Sequence, residues 1–513
     1  MFDFFKKISK HYMQDSRDHI DRTEKIRISS SLDKILDFFR NEFDQSADLV
    51  VREIRIANLK AAVIIVDGLI DKNTFSINVL KVIMNKKFLN DLNVSNQTPE
   101  KIFETMRDDL VAFPDQIEVF TYEDALNLVT CGFALVALDG SDKILALGVQ
   151  GYFVRGLAEP TAEKSQRGCR EGFIEAIRVN MTMIRRRIRS PKLKFENLIL
   201  GSISQTYVSM CYLTSMADTK IIEEIKKRLS SVDIETITTA GCISPFLEAE
   251  NDLSLFSSVG FSERPDTVCG KISEGRVAIL IDGIPTVLIV PYLFVENFQN
   301  IDDYALRPYF ASFNRILKFF SFLVSILLPG MYVALGTFNP ELFPGEILNK
   351  IALATGSTPF SMMTETLLIH FIYEVVREAG LRLPQTLAHA VSIVGGLVIG
   401  QTAIDSGLIG GPTLMIVALT AISSYVIPNL YEPITFLRLI FIISGGILGI
   451  WGIMMFFTAM LINICSKTNF GIPFTAPIAP FDIFGMRDVF LRFSWKILSK
   501  KENNIQSMPG TKI

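Results

Sequence analysis

Long apolar runs fill the chain from Phe313 to Ile464, and no other feature narrows the possible folds as far. The segment RILKFFSFLVSILLPGMYVALGTF carries no charge from Phe319 to Phe338, which suffices for one helical crossing of a hydrocarbon core about 30 Å thick. Pro329-Gly330 inside it predicts a kink or a break. Apolar runs recur over Leu383 to Ile404, Pro412 to Ile427 and Ile434 to Ile464. The last is longer than one crossing needs, so it is expected to tilt, to break at Gly445-Gly446 or to project beyond the bilayer.

Lysine and arginine placement sets the orientation. Arg307, Arg315 and Lys318 precede the first run, which puts the earlier half of the chain on the cytoplasmic side. Arg377 and Arg382 belong on the same side, so Phe360 to Val376 reads as a second crossing although it carries Glu365, His370 and Glu374. About five spans result. That number leaves the basic tail of Lys467, Arg487, Arg492, Lys496, Lys500 and Lys501 outside, against the same rule. Either the long last run turns back or one run does not cross.

The half before Phe313 differs in kind. Charged residues make up 20% of the 513 and hydrophobic ones 49%, a globular average that conceals a soluble half and a membrane half. Segment 1–30 turns highly charged after Phe5 and lacks the apolar stretch of ~7–15 residues that marks a signal peptide, so the soluble half is expected in the cytoplasm. Residues 31–151 alternate amphipathic helices (SSLDKILDFFRNEF, TFSINVLKVIMN, YEDALNLV) with apolar strands (DLVVREIRI, KAAVIIVDG, GFALVALDG, KILALGVQG). Residues 168–297 repeat the mixture, with a long helix from Arg170 to Ile188, strands in LKFENLILG and SQTYVSMCYL, the helix TKIIEEIKKRLSS and a hairpin of RVAILIDG with PTVLIVP. The expected fold is a multidomain one: a cytoplasmic α/β region of two subdomains, an α-helical polytopic membrane domain over 313–464, and a basic C-terminal tail, 465–513. Asp67-Gly68, Asp139-Gly140 and Asp282-Gly283 each end an apolar strand. Because Asp-Gly supplies the positive φ of tight turns, a turn reading outweighs a convergent ligand site.

Several function classes are disfavoured. A net charge of -3 gives no whole-chain attraction to nucleic acid. The six cysteines form no CxxC pair and read as free thiols, and the four histidines approach no HExxH spacing, so neither metal nor cofactor is expected. No phosphate-binding loop, GxGxxG or GxSxG motif is present, so the chain reads as no enzyme and offers no catalytic residue. The basic cluster Arg185 to Arg189 with Lys192 ends a helix and reads as a solvated or subunit-contact face.

Phe360 to Val376 is the informative segment. At 100° per residue, Thr366, His370, Glu374 and Arg377 share one stripe, with Leu368, Ile369, Ile372 and Val376 opposite. A polar stripe in a bilayer must meet water or protein, so it is either the wall of an ion or solute path or a seam between helices, and the two weigh evenly. As a path, it has Met362 and Met363 as bulky neighbours that obstruct it. Glu365, on the apolar side, requires a partner on a neighbouring helix or subunit. Gly395-Gly396 and Gly400 permit close helix approach.

Four stretches carry a family resemblance: VREAGLRLPQTLAHAVSIVGGLVIGQTAIDSGLI with ALTAISSYVIP, FASFNRILKFFSFLVSILLPGMYVALGTFNPELFP, ERPDTVCGKISEGRVAILIDGIPTVLIVPYLFVENFQNIDDY, and REGFIEAIRVNMTMIRRRIRSPKL. Together they resemble the A subunits of bacterial spore germination receptors, the GerA family, from about Ser31 to Trp495. Cys169 stands where that family usually has proline. The resemblance implies a multi-pass subunit of the inner spore membrane, working with a transporter-like B subunit and a lipoprotein C subunit while small nutrients trigger ion release. It also implies a homo-oligomeric ring, a pentamer, whose lipid-embedded helices form the ion channel, with nutrient recognition ascribed to the B subunit. Two alternatives stay open: a non-receptor relative accessory to dipicolinic-acid release, and a secondary transporter, against which stands the lack of matching inverted halves.

Overall fold

A computed structural model describes residues 26–56, 58–84, 97–110, 115–151, 160, 163, 165, 167–248, 254–384, 398, 400–498, 504–508, 510 and 511. The charged segment before residue 26, most of the third apolar run, Gly395-Gly396, Lys500 and Lys501 lie outside the described residues.

Two five-stranded antiparallel sheets make up the first part of the chain. The first holds β1 (Leu49–Ile56), β2 (Leu59–Val66), β3 (Gln116–Val119), β4 (Ala134–Leu138) and β5 (Ile144–Leu147) in the order β1-β2-β4-β5-β3. The second holds β6 (Leu193–Leu200), β7 (Thr206–Leu213), β8 (Gly260–Ser262), β9 (Val277–Ile281) and β10 (Val287–Val290) in the order β6-β7-β9-β10-β8. The two orders are the same. Central strands are apolar on both faces because helices cover both. On the first sheet, α1 (Leu32–Glu42) and α2 (Tyr122–Thr130) pack against Ala62, Ile64 and Leu135. Phe75, Val79, Ile102 and Phe103 from two further helical stretches pack against Ala61, Val63 and Val136 on the other face. On the second sheet, α3 (Ile177–Arg187) and α5 (Pro265–Ser273) take one face, and α4 (Thr219–Ser230) takes the other.

Equivalent turns close the two units. Asp139 at the β4–β5 hairpin accepts the Leu32 N–H that opens α1 (3.1 Å), and Asp282 at the β9–β10 hairpin accepts the Ile177 N–H that opens α3 (3.2 Å). The glycines that follow have φ of +88° and +82°, a region where glycine carries no steric penalty. Asp67-Gly68 is no hairpin, since it leads from β2 into a helix, and Asp67 pairs with Lys72 (2.6 Å). The three aspartates therefore serve separate turns.

Two expectations need correcting. The helix foreseen from Arg170 begins only at Ile177. Asn180 accepts the N–H of Ile174 and donates to its carbonyl, which holds the residues before α3 in an irregular turn. The basic cluster is a solvated face only at Arg189 and Lys192, which are exposed. Arg185 is buried and grips Asp48 through Nε (2.7 Å) and Nη2 (2.9 Å), Arg186 and Arg187 meet Glu171, and Lys192 meets Glu42. This clasp joins the two sheet units.

The second part is helical: α6 (Pro308–Phe338), α7 (Gly345–Gly356), α8 (Met362–Arg382), α9 (Gly411–Tyr425) and α10 (Tyr431–Ser466). By length and composition, α6 and the stretch Pro428–Ser466 could each cross a membrane, and α9 is a shorter apolar helix. α6 runs unbroken through Pro329. α10 breaks at Gly449 (φ 62°, ψ −147°), not at Gly445-Gly446, and there the chain doubles back. Leu437 and Asn463 consequently line one small cavity, although 26 residues of straight helix would span about 39 Å. Each arm of α10 is about 26 Å long, slightly short of a ~30 Å core.

Contacts fix the direction of each helix. α6 and the first arm of α10 run in parallel away from the sheets, with Ser325 beside Arg438 and Gly330 beside Phe441 and Gly445. A Cβ on Gly330 would lie 2.6 Å from the Phe441 carbonyl oxygen, so glycine is required for that approach. α8 returns, its start near Gly336 and Gly446 and Glu374 beside Tyr431. The tail after α10 docks on the second sheet unit, where Phe470, Ile472, Ala476, Val489 and Ile505 complete the apolar layer beneath α4. Lys467 donates to the Phe256 carbonyl and Arg492 to that of Tyr304. The basic tail thus lies on the same side as Arg315 and Lys318, because the last run turns back.

All six cysteines are free thiols. The Thr238 and Thr239 amides, with both hydroxyls, lower the Cys242 thiol to about 7, while burial pushes Cys269 up to about 12.

Two predictions follow from this architecture. Asp48→Asn leaves Arg185 buried without its carboxylate and is expected to cost about 3 kcal/mol, read as an earlier denaturation midpoint of the strand circular-dichroism signal. An unchanged midpoint would remove the clasp from the stability argument. Cys242 should alkylate ahead of Cys211 and Cys269 at pH 7. Because the thiolate is the nucleophile, its rate should drop about fivefold at pH 6, as mass-spectrometric peptide mapping would record.

Candidate functional site

One face of α8 turns inward and carries the polar groups. Ser361 caps the helix by accepting the Thr364 N–H (3.3 Å), and the inward face begins one residue later. Met362 lies against Gly336 and Met363 against Gly446, glycines whose missing side chains leave room for the two thioethers. Thr366 is wholly buried, and its hydroxyl returns to the Met362 carbonyl (2.7 Å). Glu365 is 1% exposed and accepts the Gly410 N–H at 2.6 Å. Gly410 is the N-cap of α9, so this carboxylate sits at the positive end of a helix dipole. The partner required of Glu365 is therefore a backbone amide on a neighbouring helix of the same chain.

Deeper along the face, His370 is 1% exposed, and neither ring nitrogen has a hydrogen-bond partner among the described residues. Glu374 accepts from the Tyr431 hydroxyl (2.8 and 2.9 Å) and from Arg377 Nε (2.9 Å). The Arg377 guanidinium stacks 4.0 Å over the Tyr431 ring. Arg438 Nη1 stands 3.9 Å from Glu374, Nε donates to the Ser325 carbonyl (3.1 Å), and both Nη atoms lack hydrogen-bond partners among the described residues. Thr366, His370, Glu374 and Arg377 thus share one face, which packs into the chain's own helices, while Phe371 and Val375 are exposed. Ile369 is buried too, against Ala403, Ile409 and Val417.

Arg438 is the residue that the sequence reading overlooked. Its signal was a lone arginine inside the run that starts at Ile434. A buried guanidinium with unused donors beside a bare imidazole is costly in an apolar layer. The arrangement can hold water or an ion, or rearrange once its neighbours move.

Comparison with known proteins gives this geometry a context. The family model described as Bacillus/Clostridium GerA spore germination protein matches residues 37–504. The chain is 35% identical over 485 residues to spore germination protein KA of Bacillus subtilis (strain 168), covering 94% of this chain and 88% of that protein. It is also 35% identical over 383 residues to a Bacillus subtilis (strain 168) protein described as uncharacterized membrane protein YfkQ, covering 74% of each. Among solved structures, the N-terminal domain of the A subunit of the Bacillus megaterium spore germinant receptor GerK3 aligns at 26% identity with a TM-score of 0.41, over 53% of this chain and 99% of that one.

Arg438→Met tests whether the buried guanidinium is there for stability. Replacing an uncompensated buried charge with an apolar side chain is expected to raise stability by about 1 kcal/mol or more, seen as a higher melting midpoint in detergent. A lower midpoint would mean that the bond to the Ser325 carbonyl outweighs the desolvation cost.

Proposed function

We propose, from the premise that this chain belongs to the Bacillus/Clostridium GerA spore germination protein family, that it is an A subunit of a spore germination receptor and supplies a gated ion path. The observation that carries this reading is the seam of His370 and Arg438 beside Glu374, in which the imidazole and both Nη atoms of Arg438 lack hydrogen-bond partners among the described residues, inside an otherwise apolar helical layer. Such groups are rare within membranes and mark paths for ions, protons or solutes.

In this reading the helical region spans the inner spore membrane. α6, α8, α9 and the two arms of α10 are its membrane-embedded helices. The sheets and the tail then share the cytoplasmic side with Arg307, Arg315, Lys318, Lys467 and Arg492, as the positive-inside rule requires. Copies of the chain form a closed ring, a pentamer, with B and C subunits as partners. The compact seam is the closed state. Opening separates α8 from α6 and α10, parts Met362 and Met363 from Gly336 and Gly446, and lets water reach Thr366, His370 and Glu374, with Arg377 at the cytoplasmic end.

Vesicles containing the full chain test this. Met363→Ala is expected to raise basal potassium efflux roughly tenfold, the shift produced by losing about 1.4 kcal/mol of closed-state packing. Single cysteines at 366, 370 and 374 should react with aqueous thiol reagents in the leaky variant and stay protected in the parent. Protection of all three in both backgrounds, with labelling only at 371 and 375, would falsify the path and leave a packing seam.

A further inference from the structure

Where the second sheet unit, the helices and the tail meet, a partly open cavity of about 620 Å³ remains. That volume is within the range of small-molecule sites. It lies away from the inward face of α8, bounded by α5, the end of β10, the loop 426–429, Lys318 of α6 and Trp495 of the tail. Gly270 of α5 lines it, and a Cβ there would meet no atom within 4 Å. In a helix, glycine is less stable than alanine by about 1 kcal/mol, so open space is kept here at a cost that packing does not require.

Six charged side chains line the cavity, and their signs balance: Glu163, Glu274 and Glu296 against Arg264, Lys271 and Lys318. Most are engaged with protein neighbours. Lys271 (2.6 Å) and Arg276 hold Glu296, Arg276 also holds Glu274, and Arg264 meets Asp266 (2.6 Å) together with two backbone carbonyls. Two retain capacity. The Lys318 ammonium donates to the Phe298 carbonyl (3.2 Å) and stands 3.7 Å from Asp303, yet it has three donors. The Glu163 carboxylate accepts from the Ser262 hydroxyl (2.7 Å) and from the Glu263 backbone N–H, and has about four acceptor positions. The rings of Phe261, Tyr292, Tyr304 and Trp495 also line it, surfaces that suit an apolar body or the approach of a cation.

We propose that this cavity binds a small zwitterion with an apolar body, its anionic group at Lys318 and its cationic group at Glu163. A bare anion would use only the spare donors of Lys318, and an apolar molecule would use the spare capacity of neither group. The site stands independently of any conduction along α8. It is linked to that helix through the chain, since Asn429 in its wall precedes by two residues the Tyr431 whose hydroxyl holds Glu374. The zwitterion can come from a free solute or from a lipid headgroup of the same chemistry.

Trp495 supplies the reporter. The chain has two tryptophans, and Trp451, 80% exposed near the tip of the α10 hairpin, can be replaced by phenylalanine. In the full-length Trp451→Phe chain, L-phenylalanine is expected to change Trp495 emission saturably. Phenethylamine and 3-phenylpropionate should bind at least about tenfold more weakly, each having lost one charge-assisted hydrogen bond. Gly270→Leu should abolish the response while keeping or raising the melting midpoint, which a purely structural effect would lower. Lys318→Met should weaken L-phenylalanine about tenfold. If nanodiscs of phosphatidylethanolamine shift Trp495 emission relative to phosphatidylglycerol and block L-phenylalanine, the zwitterion class holds and the lipid is its source. No response to L-phenylalanine together with no lipid dependence overturns the proposal, as does an undiminished response in Gly270→Leu or equal affinity for phenethylamine.

Discussion

Arg315 is the fixed point of the molecule. Its side chain is wholly buried, with Nε on Asp303 at 3.0 Å and Nη1 on Asp488 at 2.7 Å, and Nη1 also donates to the Asp488 carbonyl at 2.6 Å. Those partners come from the segment leaving the second sheet unit and from the tail, while Arg315 itself belongs to the first turns of α6. One guanidinium therefore joins the exit of the sheet region, the start of the helices and the returning tail. A buried pair of this kind adds little net stability, but removing one partner leaves a charge stranded and is strongly destabilising. Its effect is to allow one arrangement of three chain segments and penalise the others.

From that point the molecule is linked in series. The first sheet unit meets the second through the Arg185–Asp48 clasp and through Gly68, where a Cβ would collide with Thr182. The second unit meets the helices through Phe256, Phe294 and Phe298, which cluster with Phe322 of α6. The two units share one strand order but not one role. Among the described residues, only the second carries the tail across an outer face, so it alone touches both the entry and the exit of the helical region.

Much of this was legible in the sequence, and the remainder was hidden for physical reasons. Strand runs such as KAAVIIVDG and RVAILIDG were readable because apolar strands ending in Asp-Gly leave few alternatives. The doubling back of α10 was foreseeable as one of two outcomes, but its position was not. Gly445, Gly446, Gly449 and Gly452 look alike in sequence, and only tertiary contacts decide which one adopts a positive φ. Gly445 is taken up by the approach to Gly330, and Gly446 by Met363. The early residues of α3 carry helix-compatible side chains, yet Asn180 satisfies the Ile174 backbone from its own side chain and so competes with the helix. The tail read as basic, whereas its docking rests on scattered apolar residues, Phe470, Ile472 and Val489, that show no period.

The helical layer is not equally firm throughout, and this bears on which element can move. α6 and the first arm of α10 meet backbone to backbone at Gly330 and Gly445, and Arg438 bonds directly to the Ser325 carbonyl. Such contacts cannot slide without collision. α8 is held differently, by two flexible methionines seated in glycine hollows, by the carboxylate of Glu365 on one amide, and by the phenol of Tyr431 on Glu374. Thioether side chains adapt to changed surroundings more readily than branched ones, and both hydrogen bonds involve groups that water can satisfy. Separating α8 from its neighbours exposes the apolar contacts of Met362 and Ile369, but the hydrogen bonds it breaks are ones that water can replace, and it hydrates His370 and Arg438, whose side chains keep unpartnered donors and nitrogens among the described residues. The packing of this layer is least compensated at the same face along which α8 is most loosely held.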